Sequence, residues 1–228
     1  VAQAPHAYGT HRSLDPPGTL PQLARRLDPS PRPLENEIAV RVRALLIDSA
    51  SFRELRRTEE QTGESVAGQV LRIVRERGKM ENPVTGSGGV FLGEVAEVGP
   101  RHPSARTLAP GERIASLVSL TLTPLSLDRI VRVRPEAERL EVEGTAILFE
   151  RTLWARLPGD LPEEVALAAF DVAGAPATVR RRAAPGSTVL VIGTGKAGLL
   201  CLAAAREAVG PRGKILAVDP SPTAAARA

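Results

Sequence analysis

Six consecutive residues, Gly193-Thr194-Gly195-Lys196-Ala197-Gly198, carry the densest chemical signal in this chain of 228 residues. Glycines in G-x-G-x-x-G spacing suit a backbone that must meet a pyrophosphate. The first permits a tight turn, the second lets the main chain come close, and the third lets helix and strand pack. The surroundings strengthen the pattern. "TVLVIG" is apolar on every position before its glycine, as expected of a strand covered on both faces in a parallel sheet. Residues 196–209 read as a helix stopped by Gly210, "KILAVD" reads as the next strand, and Asp219 closes it 21 residues after Gly198. A carboxylate there accepts both ribose hydroxyls and repels a 2′-phosphate, and no arginine follows it until Arg227, so these residues favour NAD over NADP. Gly193, Thr194, Gly195, Lys196, Ala197, Gly198 and Asp219 form the candidate cofactor set, with the free N–H groups of the helix start facing the phosphates. The alternative is a structural glycine turn that holds no nucleotide.

The elements that must position such a turn follow from periodicity. Residues 1–36 are rich in Pro and Asp and read as irregular structure wrapped on a domain. "EIAVRVRALL" then alternates, with Ile38, Val40, Val42 and Ala44 on one face and Arg41 and Arg43 on the other, which predicts a half-buried strand. Val66, Val70, Ile73 and Val74 fall at helical spacing within 62–78, and Gly78 supplies a stop. Residues 82–99 read as a glycine-rich turn leading into a strand, and 110–120 and 128–135 as further short strands. The first 150 residues are therefore expected to be β-rich with one inserted helix, a small barrel. After residue 160 the period changes to a helix over 163–170 and then to the strand–turn–helix–strand unit.

Composition removes several classes of function. Net charge is only +4, from 27 arginines and three lysines against 26 acids, without a dense basic run, and aromatic residues make up 3%. Neither a basic stripe nor a stacking platform is present, so nucleic acid is not the expected partner. The single cysteine, Cys201, rules out an internal disulfide and a cysteine-based zinc cluster. The N-terminus carries no apolar leader pattern, and the most apolar stretch, 189–205, is interrupted by glycines and Lys196, which predicts a cytoplasmic protein without a membrane span.

Several segments carry a resemblance. "VRVRALLIDSASF", "PVTGSGGVFLGEVAEVG", "PGERIA" and "PGSTVLVIGTGKAG" are similar, in order, to the motifs of the medium-chain dehydrogenase/reductase superfamily. The resemblance implies an α/β plus β-rich fold: a GroES-like, partly open β-barrel catalytic domain (1–160), then the first βαβ unit of a Rossmann doubly wound domain (161–228). "YGTHRSLDPPGTLPQ", "LLIDSASF", "ERGKMENPVTGSGG", "SLVSLTLTPLSLD", "EGTAILFER" and "FDVAGAPA" narrow it, and resemble the L-erythro-3,5-diaminohexanoate dehydrogenase family. Where zinc-dependent superfamily members carry a ligating Cys, this chain has Asp48; where they carry a His-Glu pair, it has Ser87 and Gly88. No catalytic metal is therefore expected. The chain ends inside what should be the next helix, so the resemblance also predicts a shortened chain, with weak NAD affinity and negligible turnover of its own.

The family chemistry implied is NAD-dependent oxidative deamination of a diamino acid, giving 5-amino-3-oxohexanoate and ammonia. Such a reaction develops positive charge at carbon and nitrogen, which carboxylates stabilise and a metal cation does not. Asp48, between apolar "ALLI" and "SAS", is the first candidate for base or ammonium anchor, with desolvation expected to raise its pKa; the alternative is a turn cap with Ser49 or Ser51. Glu150 is a second ammonium anchor, or else half of a structural ion pair. The superfamily arrangement would bring Asp171 near the nicotinamide; otherwise it is a helix-end carboxylate. Ser87 is a donor to the substrate carboxylate or a water-orienting group, or only part of a backbone turn. His6 and His102 lie in Pro-rich stretches and are expected to be exposed, and Trp154 is expected to pack between domains. The resemblance implies a homodimer or tetramer. Two other readings stay open: a zinc-independent NAD(P)H-dependent enone or quinone reductase, and a non-enzymatic GroES-like interaction module.

Overall fold

A computed structural model describes residues 5–226. The chain divides into two compact units, Val1–Gly159 and Asp160–Ala228.

The first unit is built on a six-stranded antiparallel sheet. Its chain begins with a short pair, β1 (Ser13–Asp15) and β2 (Arg26–Leu27), and continues through β3 (Ile38–Leu46), α1 (Ser49–Thr62), α2 (Val66–Arg77), β4 (Val90–Val98), β5 (Arg113–Ser116), β6 (Leu125–Arg134), β7 (Arg139–Leu148) and β8 (Trp154–Arg156). The sheet order is β6-β7-β3-β4-β5-β8, so β3 lies centrally between β7 and β4. Among the described residues β6 does not bond to β8, and the expected barrel is an open sheet rather than a closed one.

The predicted alternation of β3 holds for half its length. Ile38, Val40 and Val42 face the core and Arg41 and Arg43 face solvent. The register with both neighbours then slips between Val42 and Ala44: against β4 the extra residue is Arg43, and against β7 it lies on β7. Such a bulge reverses the phase of everything beyond it. Leu45 and Ile47, not Ala44, therefore continue the core face. That core is completed by Phe91 and Val95 of β4, Leu140 and Val142 of β7, and the buried faces of the two helices.

Two helices, not one, are inserted after β3. α1 carries only Phe52 and Leu55 as buried apolar anchors in a polar sequence, which is why periodicity did not reveal it. Gly63, at φ 77°, ends it in the left-handed region that favours glycine. α2 starts at Val66 rather than 62, because Ser65 caps it by accepting the Gly68 N–H at 3.1 Å.

The N-terminal segment is tied down by a buried ionic knot that the sequence reading missed. Glu37, fully buried, accepts from Arg12 Nε at 2.8 Å and Nη2 at 2.6 Å, from the Leu34 N–H at 2.8 Å, and faces His11 Nε2 at 2.8 Å. His11 Nδ1 accepts the His6 N–H at 2.9 Å, so the proton of the neutral ring sits on Nε2 and points at Glu37. Burial pushes the Glu37 carboxyl up, but these donors outweigh it and hold the pKa at about 2. His6 is exposed, whereas His102 is buried, with Nδ1 accepting the Ser104 N–H at 3.0 Å. Its burial lowers the imidazole pKa, contrary to the exposure its Pro-rich neighbours predicted.

The second unit contains α3 (Glu163–Asp171), α4 (Gly174–Arg182), β9 (Thr188–Ile192), α5 (Lys196–Val209), β10 (Lys214–Val218) and a final short α6 (Pro222–Ala225). β9 and β10 are parallel and joined through α5, in register from Thr188↔Lys214 to Ile192↔Val218. α4 forms although it contains Gly174 and Pro176, because both fall in its first turn, where proline removes no helical hydrogen bond. The expectation that β9 is covered on both faces does not hold within this unit. Leu190 is 54% and Ile192 79% exposed, because among the described residues α5 packs on one side and nothing covers the other.

Candidate functional site

The polar centre of the first unit lies where β3 gives way to α1. Asp48 is the N-cap of α1, accepting the Ser51 N–H on Oδ1 at 3.0 Å. Its other oxygen accepts from Ser87 Oγ at 2.6 Å. Ser87 arrives on the "NPVTGSGG" loop, which Asn82 holds in shape by accepting the Val84 N–H at 2.8 Å and the Thr85 N–H at 3.3 Å. Gly89, at φ 99°, lies so close to the Leu46 carbonyl that no side chain fits there, and this close approach brings the loop onto the end of β3. Ser51 and Thr85 add a hydroxyl pair 2.5 Å apart, so four oxygen-bearing side chains from α1 and the loop form one cluster.

The electrostatics of this cluster correct two expectations. Burial does push the Asp48 carboxyl up, as its apolar flanks predicted, but hydrogen bonds from Ser87, Ser51 and the Ala50 N–H outweigh it, and the pKa is lowered. Asp48 is an ionised carboxylate held at a helix N-terminus and is poorly suited to act as a general base. Ser87 donates its one proton to Asp48, so in this arrangement it is not the donor to a substrate carboxylate. Its lone pairs point the same way chemically as Asp48: the pair accepts hydrogen bonds, and it suits a cation.

Glu150 is not part of this cluster. β7 runs antiparallel to β3 with Leu148 opposite Ile38 and Arg139 opposite Leu46. Glu150 follows the first of these pairs and Asp48 the second, at opposite ends of a nine-residue strand, a separation on the order of 25 Å. Glu150 instead accepts from Asn36 Nδ2 at 3.3 Å. Trp154 packs against the core of the first unit, with the Arg156 guanidinium 5.6 Å from its ring centre.

In the second unit the glycine turn is formed as its spacing requires. Gly193 has φ 92°, in the left-handed region, and its N–H donates to the Val218 carbonyl at 2.8 Å. A side chain at Gly198 would strike the Gly193 carbonyl, whereas one at Gly195 would meet nothing within 4 Å. The backbone at Gly195 is thus open to a close approach, and α5 begins there without a side-chain cap. Asp219 Oδ2 accepts the Thr194 N–H at 2.7 Å and Thr194 Oγ1 at 2.9 Å, and Oδ1 accepts the Ser221 N–H at 2.8 Å. These bonds lower its pKa and occupy three of about four acceptor positions, so ribose hydroxyls must share the carboxylate with Thr194. Lys196, the first residue of α5, pairs through Nζ with Asp171 Oδ2 at 2.9 Å, which places Asp171 beside the glycine turn of its own unit. An open glycine backbone, an uncapped helix start and an acid at the end of the second strand fit a dinucleotide. Among the described residues no three His, Cys, Asp or Glu side chains gather as a metal would require, and no helix is long and apolar enough to cross a membrane.

The sequence profile of the L-erythro-3,5-diaminohexanoate dehydrogenase N-terminal domain matches residues 11–158. The chain belongs to this family. Proteins named L-erythro-3,5-diaminohexanoate dehydrogenase from Acetoanaerobium sticklandii and Fusobacterium nucleatum are 45% and 48% identical to it, each over 92% of this chain. The chain spans 61% of the length of each of those relatives. An alcohol dehydrogenase from Thermus sp. ATN1 superposes with a TM-score of 0.50 at 19% identity, over 87% of this chain and 55% of that one, and so shares the GroES-like plus Rossmann fold. Within the L-erythro-3,5-diaminohexanoate dehydrogenase fold, Asn82 and Thr85 are the residues that sequence reasoning passed over; the signal was the Asn-Pro turn ahead of "TGSGG".

Proposed function

We propose that this chain supplies the substrate-binding domain and the first dinucleotide-binding unit of an NAD-dependent L-erythro-3,5-diaminohexanoate dehydrogenase. The reaction takes the diamino acid, NAD and water to 5-amino-3-oxohexanoate, ammonia, NADH and a proton. The observation that carries this reading is the ionised Asp48 with Ser87 beside it, in a chain of this family.

The substrate carries two ammonium groups and one carboxylate. Asp48 and the lone pairs of Ser87 bind an ammonium, and the low pKa of Asp48 keeps the negative charge in place at neutral pH. Once the C3 ammonium has given a proton to water, C3 loses hydride, positive charge spreads over carbon and nitrogen, and a fixed carboxylate stabilises it more than it stabilises the neutral amine. The role of Asp48 is therefore anchoring and charge stabilisation rather than proton removal. The Thr85–Ser51 hydroxyl pair, where either oxygen can donate, is suited to hold the water that replaces the amine. When bound, the nicotinamide supplies the hydride acceptor; Gly195 and the start of α5 hold the pyrophosphate, and Asp219 favours an unphosphorylated ribose. The protein acts as a cytoplasmic homo-oligomer on a small diamino acid, without nucleic acid or membrane.

The deciding experiment is NAD reduction by the full-length protein with 3,5-diaminohexanoate beside simple alcohols and an enone. Turnover of the diamino acid alone is expected. Comparable efficiency on alcohols, or reduction of the enone by NADPH in its place, would overturn the assignment.

A further inference from the structure

Lys196 and Asp171 are each placed against the dipole of their own helix. Lys196 is the first residue of α5, where the partial charge is positive, and Asp171 is the last residue of α3, where it is negative. Neither position is explained by helix stability, and the pair compensates itself through the 2.9 Å contact. The Asp171 side chain is only 11% exposed, whereas that of Lys196 is 35% exposed, so the ammonium is the more accessible partner. It also stands where an open glycine backbone and an uncapped helix start favour an incoming anion.

We propose that Lys196 serves two anions in turn: Asp171, which it meets in this structure, and the pyrophosphate of the dinucleotide, whose arrival draws the ammonium away and releases the Asp171 carboxylate. The inference rests on the dinucleotide reading of the glycine turn. Two negative oxygens at the start of α5 gain both the helix dipole and the lysine, whereas Asp171 sits at a helix end that repels it. The exchange makes cofactor occupancy the event that frees a second acidic group, which is then available to an ammonium. Lys196 is on this view a cofactor-sensing residue, and Asp171 a competitor for it.

The test is a fluorescence titration of the full-length protein with NADH, for wild type, Asp171→Asn, Lys196→Met and the double variant. Asp171→Asn removes the competitor and is expected to tighten NADH binding about threefold, the scale of a partly exposed ion pair. Lys196→Met is expected to weaken it roughly tenfold, as for loss of a charged hydrogen bond. The double variant should match Lys196→Met, because Asp171 acts only through the lysine. Asp171→Ser, which also removes the charge, should tighten binding alike and serves if Asp171→Asn does not fold. An unchanged Kd in Asp171→Asn overturns the exchange, and so does the same tightening in the Lys196→Met background, which would indicate simple repulsion. A folded wild type that binds no NADH removes the dinucleotide reading itself and the inference with it.

Discussion

The starts of α1 and α5 use one physical device for opposite ends. Both expose backbone N–H groups at a positive helix terminus. At α1 the chain fills that terminus with its own carboxylate, Asp48, and Ser87 adds a further donor. At α5 the corresponding residue is Gly195, which offers no side chain and leaves the N–H groups to an outside anion. A carboxylate that caps its own helix is locked in the ionised state, and it presents negative charge to a partner. A bare terminus presents positive charge. Side-chain chemistry at the first helical boundary thus decides which sign of charge each region presents.

Substitutions can break this contrast, and the largest effect is expected at the bare terminus. Gly198→Val drives a side chain into the Gly193 carbonyl and should abolish NADH binding in the full-length protein, with a stability loss of about 1–3 kcal/mol by thermal melting. Next in size is the charge at Glu37, which fixes the segment before β3. Its pKa is lowered from 4.5 to about 2, so its stabilisation is fully present above pH 4.5 and is lost as pH falls toward 2. Fully developed it amounts to about 3 kcal/mol, and Glu37→Gln should flatten the acid arm of a pH-dependent denaturation series across that window.

Asp48→Asn separates capping from charge. Asparagine caps a helix as well as aspartate, so the melting temperature should fall only by the small share that the charge contributes, while kcat/KM for the diamino acid falls roughly 10- to 100-fold. A proportional loss of stability would instead make Asp48 a purely structural cap. The smallest effect belongs to Ser87→Ala. It removes the leading hydrogen bond that lowers the Asp48 pKa, so the acid limb of the kcat/KM profile should move to higher pH while the alkaline limb stays where it is.

Much of the second unit was legible because its signals are local. The three glycines, the helix they open and Asp219 follow from spacing, and the structure forms the turn accordingly. The exposure of β9 was not legible, since an apolar strand records what it can pack against and not what surrounds it. In the first unit β3 was readable up to Arg43 and misread beyond it, because a bulge is set by register with β4 and β7 rather than by composition. α1 went unseen for lack of apolar periodicity. Its cap, Asp48, was named, but the sign of its pKa depended on Ser87, which is 39 residues away. The separation of Glu150 from Asp48 depends on strand pairing, which no single segment encodes.

The slip at Arg43 gives the neighbourhood of Asp48 an arithmetic it must keep. Laid out as a regular ladder at the same length, the strand would rotate every position beyond the slip by half a turn. Leu45 and Ile47 would be turned out into water, and the carboxylate that follows them would leave the hydroxyl it now holds. Asp48 keeps its place because one residue of the strand goes without a partner on β4.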